Sequence, residues 1–173
     1  MVQCPSMSDS HPRPATFTLH PRLAAGSHWL GRRQDCRLLL KDNALFPWIL
    51  IVPEVPEGVE DLHQLDPDRF RQVMELVRRV SEFVSAQFRP DKLNVACIGN
   101  QVRQMHIHIV GRREGDSAWP GTVWAFEAKS PWPLEEMERI RAAARAELEL
   151  DTESAWSDAA KGAGPAGASE LFR

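Results

Sequence analysis

Two histidines, His106 and His108, stand one residue apart in the run Gln104-Met105-His106-Ile107-His108-Ile109-Val110. As a strand, this run has a period of two that puts Gln104, His106 and His108 on one face and Met105, Ile107 and Ile109 on the other. The two imidazoles then lie about 6.7 Å apart at Cα and can address one small ligand together. An imidazole is costly to desolvate unless its nitrogens find partners, and two side by side repel when both are protonated. The pair therefore asks for an anion, a metal ion or an open groove. A metal needs further ligands of the right type, and the sequence offers His63, in Asp61-Leu62-His63, with no Cys-x-x-Cys pair or later ligand cluster. No metal site is expected. Neither a P-loop nor a Gly-x-Ser-x-Gly turn is present, which leaves the common NTPase and serine-hydrolase explanations without residues.

The elements that must position this face are legible around it. Cys36 to Lys41 reads as a strand, Asp42-Asn43 as a turn, and Ile49 to Pro53, apolar on both faces, as a central strand. Asp66-Pro67 opens a helix with an acid at the cap and a proline in the first turn. Phe70, Val73, Met74, Val77, Val80, Val84 and Phe88 recur at spacings of three and four, an apolar stripe that ends before Pro90. Leu93 to Ile98 alternates as a strand, and Gly99-Asn100 breaks it before the histidine run. Beyond a loop with Trp119, Trp124 and Trp132, whose indoles are expected in packing, Pro133 to Leu150 reads as a second helix with Glu135-Glu136 near its positive end. Arg112-Arg113 reads as a solvated strand end. The expected order is β-β-α-β-β-α, with an extra strand at 16–20.

The chain has 173 residues, 43% hydrophobic and 26% charged, enough for one globular domain with a real core. Residues 1–14 and 151–173 are polar and rich in Pro or Gly, so flexible tails are expected there and a single domain over 15–150. A net charge of −3 excludes the sequence-independent phosphate attraction of a nucleic-acid binder, and no apolar run is long enough for a membrane. The first fifteen residues lack an apolar signal core, so a cytoplasmic protein is expected. Cys4, Cys36 and Cys97 are odd in number and are expected as reduced thiols, two of them in strands.

The run from Gln104 to Val110 resembles the His-φ-His-φ-His-φ-φ strand (φ apolar) of the histidine triad superfamily of nucleotide hydrolases and transferases, with Gln104 at the first histidine. Leu93-Asn94-Val95 and Gly99-Asn100-Gln101-Val102 are similar to the segments that precede that strand. Asp42-Asn43 with Val52-Pro53 resembles the family's nucleoside-binding hairpin. His20-Pro21-Arg22-Leu23, Phe46-Pro47-Trp48 and Ala118-Trp119-Pro120-Gly121 are similar to bacterial members with Gln in the first place. The resemblance implies an α+β fold, an antiparallel sheet with two helices, and a homodimer acting on a small-molecule nucleotide without a cofactor. It implies that His106 attacks the α-phosphorus of a nucleoside phosphoramidate or dinucleoside polyphosphate, giving a nucleotidyl-histidine that water hydrolyses. His108 would donate to a non-bridging oxygen, with backbone N–H groups of Gly99, Asn100 and Gln101 beside it. Gln101 would stand near the leaving group, Asn94 near the phosphate or ribose, and Asp42 or Asn43 on the ribose hydroxyls. Gln104 keeps hydrogen bonding at the first position but cannot titrate. A nucleotide-binding module of the same fold with little turnover is the alternative.

Overall fold

The structure is a computed structural model that describes residues 17–152; the expected tails lie outside this range except for Asp151 and Thr152. A short helix, α1 (Pro21–Ala25), is followed by strands β1 (Ser27–Arg33), β2 (Cys36–Lys41) and β3 (Trp48–Pro53), and then by the long helix α2 (Pro67–Phe88). Strands β4 (Lys92–Cys97) and β5 (Ile107–Arg112) and helix α3 (Leu134–Glu147) complete the chain. The strands form one five-stranded antiparallel sheet in the order β1-β2-β3-β5-β4, so β3 is central and buried throughout.

This is the expected α+β fold with a single antiparallel sheet, but two details differ. Residues 17–20 form no strand, and the extra strand is β1 instead. Its alternation is hidden by a bulge between Trp29 and Gly31. Gly31 has φ +156°, and a Cβ there would come within 2.6 Å of the Leu150 Cβ, so only glycine lets the segment after α3 cross β1. Arg32 and Asp151 then exchange backbone hydrogen bonds of 2.8 Å. Arg141 and Arg145 of α3 donate to the carbonyls of Trp29 and Leu30, fastening the helix to this strand. The short helix α1 is the second difference, a third helix where two were expected.

Helix α2 starts where the Asp66 carboxylate accepts from the N–H groups of Asp68 and Arg69. It stops where Arg89 turns left-handed ahead of Pro90. Its buried side is Val73, Leu76, Val77, Val80, Phe83 and Val84. Phe70 and Met74, expected in the stripe, are 40% and 38% exposed. At 100° per residue Met74 falls on the margin, whereas Leu76 and Phe83 stand three residues after Val73 and Val80 and share their side.

Helices α2 and α3 cover one face of the sheet, packing on Leu38, Leu40, Ile49, Ile51, Ile107 and Ile109. The other face carries Leu39, Trp48, Leu50, Val52 and Val110, covered by Leu23 of α1 and by Phe46, Val102 and Val123 from loops. The histidines belong to this second face. Cys36 and Cys97 are free thiols on strands, and Cys4 lies outside the described residues. Among the described residues no helix is long and apolar enough to cross a membrane.

Candidate active site

Strand β5 begins at Ile107, so His108 sits within the sheet, opposite Leu50 and Ala96, while Gln104 to His106 form the lead-in. The two imidazole rings are 4.7 Å apart between centroids. The Nδ1 atom of His106 lies 2.7 Å from the Gln104 carbonyl oxygen. A carbonyl only accepts, so Nδ1 carries the proton and Nε2 presents its lone pair. Burial lowers the His106 pKa below the ordinary histidine value, and the charges of Lys41 and His20 lower it further against the opposing Gln104 carbonyl. The ring is therefore neutral at pH 7.

His108 has the opposite tautomer. Its Nδ1 accepts from the Trp48 indole N–H at 3.0 Å, which places the ring proton on Nε2. Burial first, then His106 and Lys41, push its pKa down to about 3, with only the Ile98 carbonyl opposing. Nε2 is buried, and no acceptor, that carbonyl included, meets it with hydrogen-bond geometry. Trp48 and Trp124 pack on the ring, with centroids 5.5 and 5.6 Å away. A buried N–H donor without an acceptor costs about 1–3 kcal/mol, which an anionic ligand oxygen would recover.

The remaining sequence candidates divide between the site and the scaffold. The Gln104 side chain turns to the backbone of the segment before α1. Its Oε1 accepts from the His20 N–H and its Nε2 donates to the Thr18 carbonyl, each at 2.9 Å. Gln101 lines, with His20, Arg103 and Gln104, a groove of about 680 Å³; Gly99 and Asn100 lie in the turn before it. Asn94 shares the histidine face, since it pairs with Val110, but its Oδ1 accepts from Arg112 at 3.1 Å. Asp42 Oδ1 accepts from the Trp132 N–H, and Asn43 Oδ1 accepts from the N–H groups of Leu45 and Ser130. These bonds tie the loop before α3 to the end of β2, and the His28 Nε2 lies 3.0 Å from the same Asp42 oxygen. Arg112 is no solvated strand end: it is 2% exposed, forked onto Asp116 and flanked by the Phe46 and Trp119 rings.

Sequence reasoning missed His20, Lys41, Trp48 and Trp124. Leu40 pairs with Ile49, so Lys41 comes next to Trp48 on the histidine face. Burial lowers its pKa, as does the charge of Lys129, while the charge of Asp42 opposes, and its ammonium forms no direct ion pair among the described residues. An unpaired, partly buried cation beside two neutral imidazoles is a site for an anion. His63 stands on an exposed 3₁₀ turn, and among the described residues no three His, Cys, Asp or Glu side chains converge as metal ligands would.

Residues 22–115 match the HIT domain family model. Among solved structures, a histidine triad protein from Marinobacter aquaeolei VT8 is 36% identical, with a TM-score of 0.73 over 77% of this chain and 96% of its own. One from Bradyrhizobium japonicum is 33% identical, with a TM-score of 0.73 over 76% of this chain and 98% of its own. One from Sinorhizobium meliloti 1021 is 32% identical, with a TM-score of 0.72 over 78% of this chain and 97% of its own. No curated protein matches the chain significantly.

Proposed function

The chain belongs to the histidine triad family of nucleotide hydrolases and transferases, and from that premise we propose that it cleaves nucleoside phosphoramidates or dinucleoside polyphosphates at the α-phosphorus through a nucleotidyl-His106 intermediate. The observation that carries this reading is the bond from His106 Nδ1 to the Gln104 carbonyl. It aims the Nε2 lone pair outward in a ring that burial keeps neutral. In the first step that lone pair attacks phosphorus and the bond to the leaving group breaks, its electron pair departing with the leaving group. In the second, water attacks phosphorus and releases a proton to solvent, the P–Nε2 bond breaks, and its electron pair returns to His106.

The other groups take the charge that builds on the phosphoryl oxygens. The unpartnered Nε2–H of His108 donates to a non-bridging oxygen, and the unpaired Lys41 ammonium offsets its charge. Backbone N–H groups at Gly99, Asn100 and Gln101 lie in the turn leading to the groove, and the Asp42 carboxylate is the acceptor for a ribose hydroxyl. Asn94 acts at one remove, through its bond to Arg112. The active unit is residues 15–150, in the cytoplasm and without a cofactor.

We further propose a homodimer. Strand β4 ends the sheet with its outer side unpaired among the described residues, and Val95 on it is 47% exposed. Pairing of two β4 edges would satisfy those backbone groups and cover that side chain. Sedimentation that returns a monomer at micromolar concentration would reject it.

The catalytic reading is tested by turnover of adenosine phosphoramidate and of dinucleoside polyphosphates in the presence of a chelator. The native protein is expected to turn over at least one of them, and His106→Ala neither. Nucleotide binding without turnover or adduct in the native protein would leave the binding module standing.

A further inference from the structure

Position 104 carries no imidazole, yet its amide holds the backbone of a third histidine, His20, from elsewhere in the chain. The two amide bonds of Gln104, to the Thr18 carbonyl and the His20 N–H, bracket Leu19, whose side chain is buried in the core of the histidine face. The amide thus behaves like a strand edge and fixes the backbone of His20 against the start of β5. The same residue's carbonyl orients His106. His20 and His106 are thus held by two ends of one residue, the backbone of one by its amide and the ring of the other by its carbonyl.

The ring of His20 is also oriented. Its Nδ1 accepts from the Arg22 N–H at 3.2 Å, closing the first turn of α1. That bond places the ring proton on Nε2, so His20 offers a fixed donor rather than a base. It lines the groove of about 680 Å³ together with Gln101, Arg103 and Gln104, a volume in the usual range for a small-molecule site. Neither Trp48 nor Trp124, whose rings pack on His108, lines this groove. A leaving group of nucleotide size therefore has room on the His20 side.

During P–X cleavage, negative charge grows on the leaving atom and needs a donor. His106 has its Nδ1–H committed to the Gln104 carbonyl and its Nε2 to phosphorus. The Nε2–H of His108 is taken by a non-bridging oxygen. Resting on the nucleotidyl-His106 reading above, we infer that His20 is a further catalytic residue, whose Nε2–H hydrogen-bonds the departing atom, and that Gln104 is the positioning residue that holds it there. No proton need be transferred: the P–X electron pair leaves with X, and His20 Nε2–H stabilises the resulting anion. The leaving group this donor suits best is an oxyanion, as in a nucleoside polyphosphate.

The two-step chemistry provides the test, because the leaving group is absent from the second step. Pre-steady-state quench-flow with diadenosine polyphosphate separates formation of adenylyl-His106 from its hydrolysis. His20→Asn keeps an acceptor for the Arg22 N–H and the backbone bond to Gln104, but removes the ring donor. Adduct formation should slow about 100-fold while hydrolysis of the adduct keeps its rate. Gln104→Ala should slow the same step, and the double variant should be no slower than the worse single one. Equal slowing of both steps, or of neither, would overturn the inference, since it would mean a structural role or a donor facing the retained nucleoside. A native protein that forms no adduct would overturn the parent reading, and the inference with it.

Discussion

The two faces of the sheet share every strand but are stabilised in different ways. On the helix side, Ile49, Ile51, Ile107 and Ile109 pack against Val73, Val80 and Ile140, and the buried guanidinium of Arg69 is held at the edge by the carbonyls of Gln34 and Asp35. On the other side, apolar packing is interrupted by His106, His108, Asn43 and Arg112, all buried and each held by specific bonds. The first face needs only volume and burial, which are tolerant of detail. The second needs direction, because an imidazole becomes nucleophile or donor according to which of its nitrogens is engaged. Strand β5 serves both, with Ile107 and Ile109 turned one way and His108 the other. The comparison teaches that the helix side supplies stability and the histidine side converts some of it into fixed tautomers.

Substitutions on the two sides should separate these contributions. The largest effect is expected from His106→Ala, a loss of turnover of about 10⁴-fold or more with unchanged circular dichroism; retained turnover would place the nucleophile elsewhere. Next is Ile109→Ala on the helix side, which should cost about 2–5 kcal/mol in denaturant titration while kcat per folded molecule is kept. A large change in kcat at full stability would show that the two faces are not separable. Trp48→Phe removes the donor to His108 Nδ1 and frees that ring to change tautomer. Turnover should fall about 10-fold to 100-fold, with about 1 kcal/mol lost in stability.

The last effect is on acid stability, and its sign follows from the histidine side alone. An unfolded histidine takes a proton near pH 6.5, whereas folded His108 does not until about pH 3. Between those values the unfolded chain binds more protons, so stability falls as pH falls, by at most about 1.4 kcal/mol per pH unit. Comparing native protein with His108→Gln isolates this from the carboxylates: the native protein should lose stability relative to the variant on acidification from pH 6.5. Parallel curves would mean that His108 titrates normally. Turnover should likewise hold below pH 6.5 before protonation of His106 removes its lone pair.

Much of the frame was legible from local pattern. The cap at Asp66, the stop before Pro90 and the alternation through Gln104 to Val110 are interactions among near neighbours in sequence. They led to α2, to β5 and to a pair of histidines on one face. Strand β1 was not legible, because its bulge at Gly31 answers to Leu150 and Asp151, far along the chain. The roles of polar residues were least legible. Asp42 and Asn43 looked like a turn, but what their side chains accept comes largely from Ser130 and Trp132. Gln104 looked like a weakened catalytic position, yet its amide is bonded 84 and 86 residues away, at His20 and Thr18.

By itself the sequence determined which residues could act and which side of a strand they occupy, since a period of two is a property of the backbone. Only the tertiary structure decided which nitrogen of each ring carries its proton, that Lys41 lies on their face without an ion pair, and that the Gln104 amide holds the backbone of His20. Those outcomes depend on hydrogen bonds and fields between groups remote in sequence, and a nitrogen's role is set by the partner it meets in space.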